Sequence, residues 1–150
     1  MAENTLIDTR KQELISEFDM IGEDWTERYN YIIELGAELP PFPEPFRDDA
    51  HKVKGCQSSV WLHASQIDNK IELKGDSDAL IVKGLVALVL RIYNQQKPMD
   101  VVQADLSWME QLGLQQHLSP TRKNGLDAMI RQIRLYATAF QAQNQLNEPN

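Results

Sequence analysis

Cysteine is almost missing from this chain: Cys56 stands alone among 150 residues. A single thiol forms no internal disulfide and supplies no thiolate cluster, and the three scattered histidines, His51, His63 and His117, do not complete a metal site around it. Basic residues are also scarce. With 15 Lys and Arg against 22 Asp and Glu, the formal charge is −7. That balance argues against nucleic acid and against an anionic membrane surface as main partners, since both require clustered cations. Long hydrophobic runs are lacking too. The longest, Ala79 to Leu90, is too short to span a bilayer and is broken by Lys83. The opening Met-Ala-Glu-Asn has no basic region leading into an apolar one, so no signal peptide is expected. The expected location is the cytoplasm, whose reducing poise keeps a lone thiol available.

What is present suits one domain spanning 1–150, long enough to bury a core without cross-links. Leu6 to Ile21 reads as an amphipathic helix, with Leu14, Ile15, Phe18 and Ile21 on one face and Lys11, Glu13 and Glu17 turned away. Asp24 is a candidate N-cap, with Glu27 in capping-box position, for a second helix carrying Trp25, Tyr29, Ile32, Ile33 and Gly36. Leu39 to Phe46 holds Pro40, Pro41, Pro43 and Pro45 and reads as a stiff, extended connector, either a plain linker or one pinned to the body by Phe42 and Phe46.

Ser58 to Ile67 alternates like a strand, Asp68-Asn69 is a turn pair, and Lys70 to Lys74 alternates again, predicting an antiparallel hairpin. Gly75-Asp76-Ser77-Asp78 reads as a turn and helix start capped by Asp76 or Ser77. Ala79 to Tyr93 is apolar nearly all round and is expected to be the central buried helix. Gly84 in its middle implies close approach of another backbone. A short helix or turn is expected at 98–102, and a short helix around Trp108. Ser119-Pro120 then starts a last helix, Thr121 to about Phe140, with Leu126, Met129, Ile130, Ile133, Ala137 and Phe140 as its buried stripe. The polar stretch from about 141 to 150 is expected to fray.

The chain is organised around Val53-Lys54-Gly55-Cys56-Gln57-Ser58-Ser59-Val60-Trp61. Gly55 permits a sharp turn, and polar Gln57, Ser58 and Ser59 follow at once, so the thiol is expected at a loop tip feeding a strand. A lone cytosolic cysteine is more often a small buried hydrophobe. Here Lys52 and Lys54 add local positive charge, which favours thiolate. Arg122 falls on the face of the last helix that carries the core stripe, in the first turn, where the dipole opposes a cation. It is either ion-paired structurally or an anchor for an anion or thiolate near Cys56.

A cysteine hydrolase would need one of the three histidines as base. A thioredoxin-type exchange would need a second cysteine. A thiol with neither suits a carrier that attacks an electrophilic sulfur, holds it and yields it to the next thiol.

Three blocks in order carry a resemblance: Val-Lys-Gly-Cys-Gln-Ser-Ser-Val-Trp at 53–61, Gly-Asp-Ser-Asp-Ala-Leu-Ile-Val-Lys-Gly at 75–84 and Gln-His-Leu-Ser-Pro-Thr-Arg-Lys-Asn-Gly-Leu at 116–126. With the Trp25 to Gly36 stretch, they resemble the SufE/CsdE family of sulfur acceptors over most of the chain. The resemblance implies an α+β fold like the IscU scaffold, a small antiparallel sheet with helices on one side. It implies that Cys56 accepts sulfur as a persulfide from a PLP-dependent cysteine desulfurase of the SufS or CsdA kind. It also implies that binding stimulates that enzyme and that the sulfur passes on toward an iron–sulfur scaffold or other acceptor. PLP would reside on the partner, leaving this chain without a cofactor of its own. The resemblance puts Asp78 near the cysteine loop, with Gly55, Gln57 and Ser58 within it, and Arg122 near the transfer site. The loop is implied to rest over an apolar cavity and to swing outward to the partner. The chain is therefore expected to be a sulfur-transfer partner protein rather than a stand-alone enzyme. The rival class is a regulatory adaptor in which Cys56 only packs.

Overall fold

A computed structural model describes residues 6–147; residues 1–5, on which the signal-peptide reading rests, and 148–150 lie outside the described residues. Helices α1 (Leu6–Ile21) and α2 (Trp25–Ala37) come first, followed by single 3-10 turns at Glu44–Phe46 and Asp49–His51. Strands β1 (Val60–Ile67) and β2 (Lys70–Ser77) form an antiparallel pair, the sheet found among the described residues. Then come α3 (Leu80–Tyr93), α4 (Pro98–Gln103), α5 (Trp108–Gln111), α6 (Leu114–His117) and α7 (Pro120–Asn147). The fold is the expected α+β arrangement of a small antiparallel sheet with helices on one side. None of these helices is long and apolar enough to cross a membrane.

The hairpin turn follows from its two residues. Asp68 and Asn69 both take positive φ, 51° and 64°, the geometry that matches strand twist and that short Asp and Asn side chains tolerate. Alternation sends Val60, Leu62, Ile71 and Leu73 into the core, where α3 packs on β2 and α7 touches β1. The helix α3 is buried along most of its length and crosses α2 at a glycine pair. A Cβ placed on Gly84 would lie 2.2 Å from the Ile32 carbonyl oxygen, and one on Gly36 would lie 2.7 Å from the Gly84 nitrogen. The close approach expected at Gly84 is thus made to the backbone of α2.

Several expectations are corrected. Lys11 does not turn away from the core. It is buried in line with Ile7, Leu14 and Phe18, and its Nζ donates to the Asp105 carbonyl at 2.7 Å, so the stem packs while the charge finds an acceptor. Gly75 to Ser77 is not a turn: β2 continues to Ser77. A Cβ on Gly75 would meet Val86 Cγ1 at 2.7 Å and Leu62 Cδ2 at 2.9 Å, so glycine is needed there for packing. Neither Asp76 nor Ser77 is the N-cap of α3; that position is Ala79, which has no side-chain cap. The last helix does not fray at 141 but runs to Asn147, tied to the hairpin by Asn144, which donates to Gln66 Oε1 at 2.8 Å and to Asn69 Oδ1 at 3.0 Å.

The proline-rich segment is no plain linker. Phe42 is buried, and Phe46 stacks on His63 at 3.7 Å between ring centroids. The Arg47 guanidinium lies 4.8 Å from the Trp61 ring and reaches Asp76 at 2.9 Å. Trp61 and His63 point away from the helices, so this segment covers the other face of the hairpin and ends at the stem of the cysteine loop.

Candidate functional site

The cysteine loop is held at both ends by backbone. At its entry the Val53 N–H donates to the Val60 carbonyl at 2.8 Å, and Lys52 bridges to Trp61 on the open edge of β1. At its exit Ser59 is gripped from β2. Its N–H donates to Asp78 Oδ1 at 3.1 Å, its carbonyl accepts from the Asp78 N–H at 3.2 Å, and the Ser77 hydroxyl donates to the same carbonyl at 2.8 Å. Between these clamps Gly55 takes φ +95°, the left-handed conformation that glycine adopts without strain. A Cβ there would touch Ala128 at 3.6 Å, so the turn lies against α7.

That turn lowers Cys56 onto the second turn of α7. The thiol is half-buried, packs on the core cluster, and its Sγ donates to the Gly125 carbonyl at 3.7 Å. The sulfur lines a cavity of about 680 Å³ with Gln57 and Ser58 on the loop, Ile33 on α2, Ala79 to Val82 at the start of α3, and Arg122 and Gly125 on α7. The structure therefore brings Cys56 and Arg122 to one cavity. Asp78 is near the loop, as expected, but its carboxylate serves the backbone of Ser59 and does not line the cavity.

Arg122 is half-buried. Its backbone N–H donates to the Ser119 hydroxyl at 3.3 Å, the N-cap bond that opens α7. Among the described residues its guanidinium has no carboxylate within ion-pair distance, whereas Arg47 and Arg91 each do. The structural ion pair considered for Arg122 is therefore not made among the described residues, and its side chain lines the cavity.

Burial pushes the Cys56 thiol above its ordinary range. The thiolate-favouring effect expected of Lys52 and Lys54 is not realised. Lys54 is exposed, and Lys52 turns to Asp49 at 3.9 Å and to the Trp61 ring. A neutral thiol is also the form that donates to Gly125. Docked, the sulfur is a protected acid and a poor nucleophile. Because the folded loop favours the protonated form, thiolate forms only at a higher pH than in a free cysteine, whose pKa is about 8.5. Alkylation of the isolated protein by iodoacetamide, followed against pH, is expected to rise with a midpoint above that of free cysteine. A midpoint at or below it would mean that the loop does not rest in this docked form.

The histidines lie elsewhere. His51 and His63 cluster with Phe46, with His51 Nδ1 bonded to Asp48 at 2.7 Å, and His117 stacks on Trp25 at 4.1 Å. With the thiol bonded to a carbonyl and no histidine on the cavity wall, a hydrolase dyad is not assembled among the described residues. Nor do those residues include a group of three or more His, Cys, Asp or Glu able to hold a metal ion. Two features escape the sequence reading, Gly125 beneath the sulfur and Leu80 at the cavity mouth, 71% exposed. Gly125 carries the same signal as Gly84, a glycine inside a helix with no local reason to be there.

Two comparisons bear on this arrangement. A family model described as "SufE: Fe-S metabolism associated domain" matches residues 12–137. Among solved structures, the solution structure of a hypothetical protein from Thermus thermophilus is similar, with a TM-score of 0.73 at 20% sequence identity over 89% of this chain and 96% of that one. At that identity the likeness is one of fold.

Proposed function

The chain belongs to the SufE family, whose domain is associated with Fe–S metabolism, and from that premise we propose that it is a carrier of sulfane sulfur. Cys56 takes the sulfur as a persulfide from a PLP-dependent cysteine desulfurase, stimulates that enzyme by emptying its cysteine, and yields the sulfur toward iron–sulfur cluster assembly. The observation that carries this reading is a lone thiol on a clamped loop that shares a cavity with an arginine lacking any ion pair among the described residues.

The step is an exchange at sulfur. The Cys56 thiolate attacks the terminal sulfur of the donor's persulfide, a new S–S bond forms on Cys56, and the donor's own S–S bond breaks. The donor thiolate leaves and the proton once on Cys56 passes to solvent or to that thiolate. No outside oxidant is needed. The docked thiol is protonated and therefore slow, so undocking into water is what activates it. After loading, the carried group is an anion with no proton to give. It cannot renew the hydrogen bond to the Gly125 carbonyl, and Arg122 is the cation on the cavity wall that can balance it.

Mass spectrometry of the protein after incubation with desulfurase and cysteine tests this reading: Cys56 should gain one sulfur atom. The half-buried, core-packed sulfur favours a second reading, an adaptor with a structural cysteine, which predicts docking and stimulation with no such gain.

Arg122→Ala is expected to slow sulfur transfer about tenfold or more, as loss of a charge-assisted contact of about 1.5–3 kcal/mol implies. Because the guanidinium makes no ion pair among the described residues, the melting temperature should move little. Transfer assays beside thermal melts check this, and parallel losses in both would make Arg122 a structural residue.

A further inference from the structure

Resting on the carrier reading, we infer that Gly125 is the seat of the carried sulfur, and that its missing side chain is what lets a loaded Cys56 return to shelter. Glycine is an unfavourable choice inside α7 and costs about 1 kcal/mol relative to alanine. Its φ gives no reason for it, since the described glycines with positive φ are Gly22, Gly55 and Gly113. No helix backbone crosses it, unlike Gly84. A Cβ built on Gly125 would have one heavy atom within 4 Å, Cys56 Sγ at 3.6 Å, and otherwise open space.

Those distances separate two states of the same cysteine. For the bare thiol, 3.6 Å is ordinary contact, so alanine at 125 would be tolerated. A second sulfur stands about 2.05 Å from the first. If it points toward α7 it occupies the ground where that Cβ would be, and alanine excludes it. The same cavity is also lined by exposed Gln57 and Leu80, beside which a persulfide meets water and soluble thiols. Gly125 is itself buried, so the α7 side of the cavity is the sheltered one. Gly125 acts here as a positioning residue, through the room it leaves.

The test compares wild type with Gly125→Ala after chemical loading by glutathione persulfide, which needs no enzyme partner. Cys56 takes the outer sulfur and glutathione leaves as its thiol. Excess donor is removed, dithiothreitol is added, and loss of the sulfur as sulfide is followed by intact mass. The loaded variant should lose its sulfur several-fold faster than wild type. Its unloaded thiol should be alkylated at the wild-type rate, and its melting temperature should be unchanged or higher. Equal persulfide lifetimes would overturn the inference while leaving the carrier reading intact. So would faster alkylation of the unloaded variant, which would mean that alanine displaces the resting thiol as well. Failure of a desulfurase to load wild-type Cys56 would instead strike the carrier reading, and with it the premise of this one.

Discussion

Cys56→Ser is expected to give a folded protein that takes no sulfur from a desulfurase and no longer stimulates its turnover. Serine is nearly isosteric and its hydroxyl can still donate toward Gly125, so the loop should dock and the loss of the half-buried sulfur should cost no more than about 1 kcal/mol, ordinary for a single substitution. Chemistry is a different matter. An alcohol does not form a thiolate at neutral pH and makes no persulfide, so transfer should fall to the assay background rather than to a fraction of wild type. Stimulation should go with it, because a desulfurase accelerated by its acceptor turns over faster only when its own cysteine is emptied. Full stimulation by the serine variant would mean that docking alone activates the enzyme, and the acceptor role would have to be abandoned.

Gly84→Ala should be the most damaging single methyl group in the molecule. Its Cβ would sit 2.2 Å from the Ile32 carbonyl oxygen and 2.7 Å from the Ile32 carbonyl carbon. Both are backbone atoms, which no rotamer change can clear. The helices α2 and α3 would have to separate, opening the contact around Ile32, which is fully buried. The penalty falls at the upper end of the overpacking range, about 3 kcal/mol, and it exceeds the gain of about 1 kcal/mol that alanine brings to a helix interior. The net loss of about 2 kcal/mol corresponds, for a domain of this size, to a fall in melting temperature of roughly 4–8 °C. Thermal denaturation followed by circular dichroism reads this directly, and an unchanged or raised melting temperature would contradict the close crossing. The same substitution at Gly125 is expected to act in the opposite direction on stability, since its Cβ meets only a sulfur at van der Waals distance.

These two glycines also mark how far the sequence can be read. Gly84 is legible because it sits in the middle of a helix that is apolar nearly all round, where close backbone contact is almost the only reason to tolerate it. Gly75 carries the same meaning, but its neighbours Asp76, Ser77 and Asp78 have turn composition, and the reason for it lies in Val86 and Leu62, which local pattern does not connect to it. Charge alone assigns Lys11 outward. Its true position follows the Ile7, Leu14 and Phe18 spacing, and the acceptor that makes this possible, the Asp105 carbonyl, is 94 residues away in sequence. The proline-rich segment reads as inert because prolines describe only its backbone, while its role comes from Phe42, Phe46 and Arg47 meeting side chains of the hairpin. In the site, the loop tip is visible in Gly55-Cys56. Placing Arg122 beside the sulfur needs the three-dimensional path of α7. Asp78 is expected near the loop from resemblance, and only the backbone bonds to Ser59 give it a physical task there.

The two clamps of the cysteine loop set a leash. Cys56 is three residues beyond Val53, and an extended chain spans at most about 3.3–3.6 Å per residue, so its Cα stays within about 11 Å of that anchor however far the loop unfurls, with the sulfur only one short side chain beyond. A delivery arm that short cannot thread a deep channel. Whichever protein hands over or receives the cargo must therefore bring its own reactive atom close to its surface, and the two bodies must approach until their faces nearly meet.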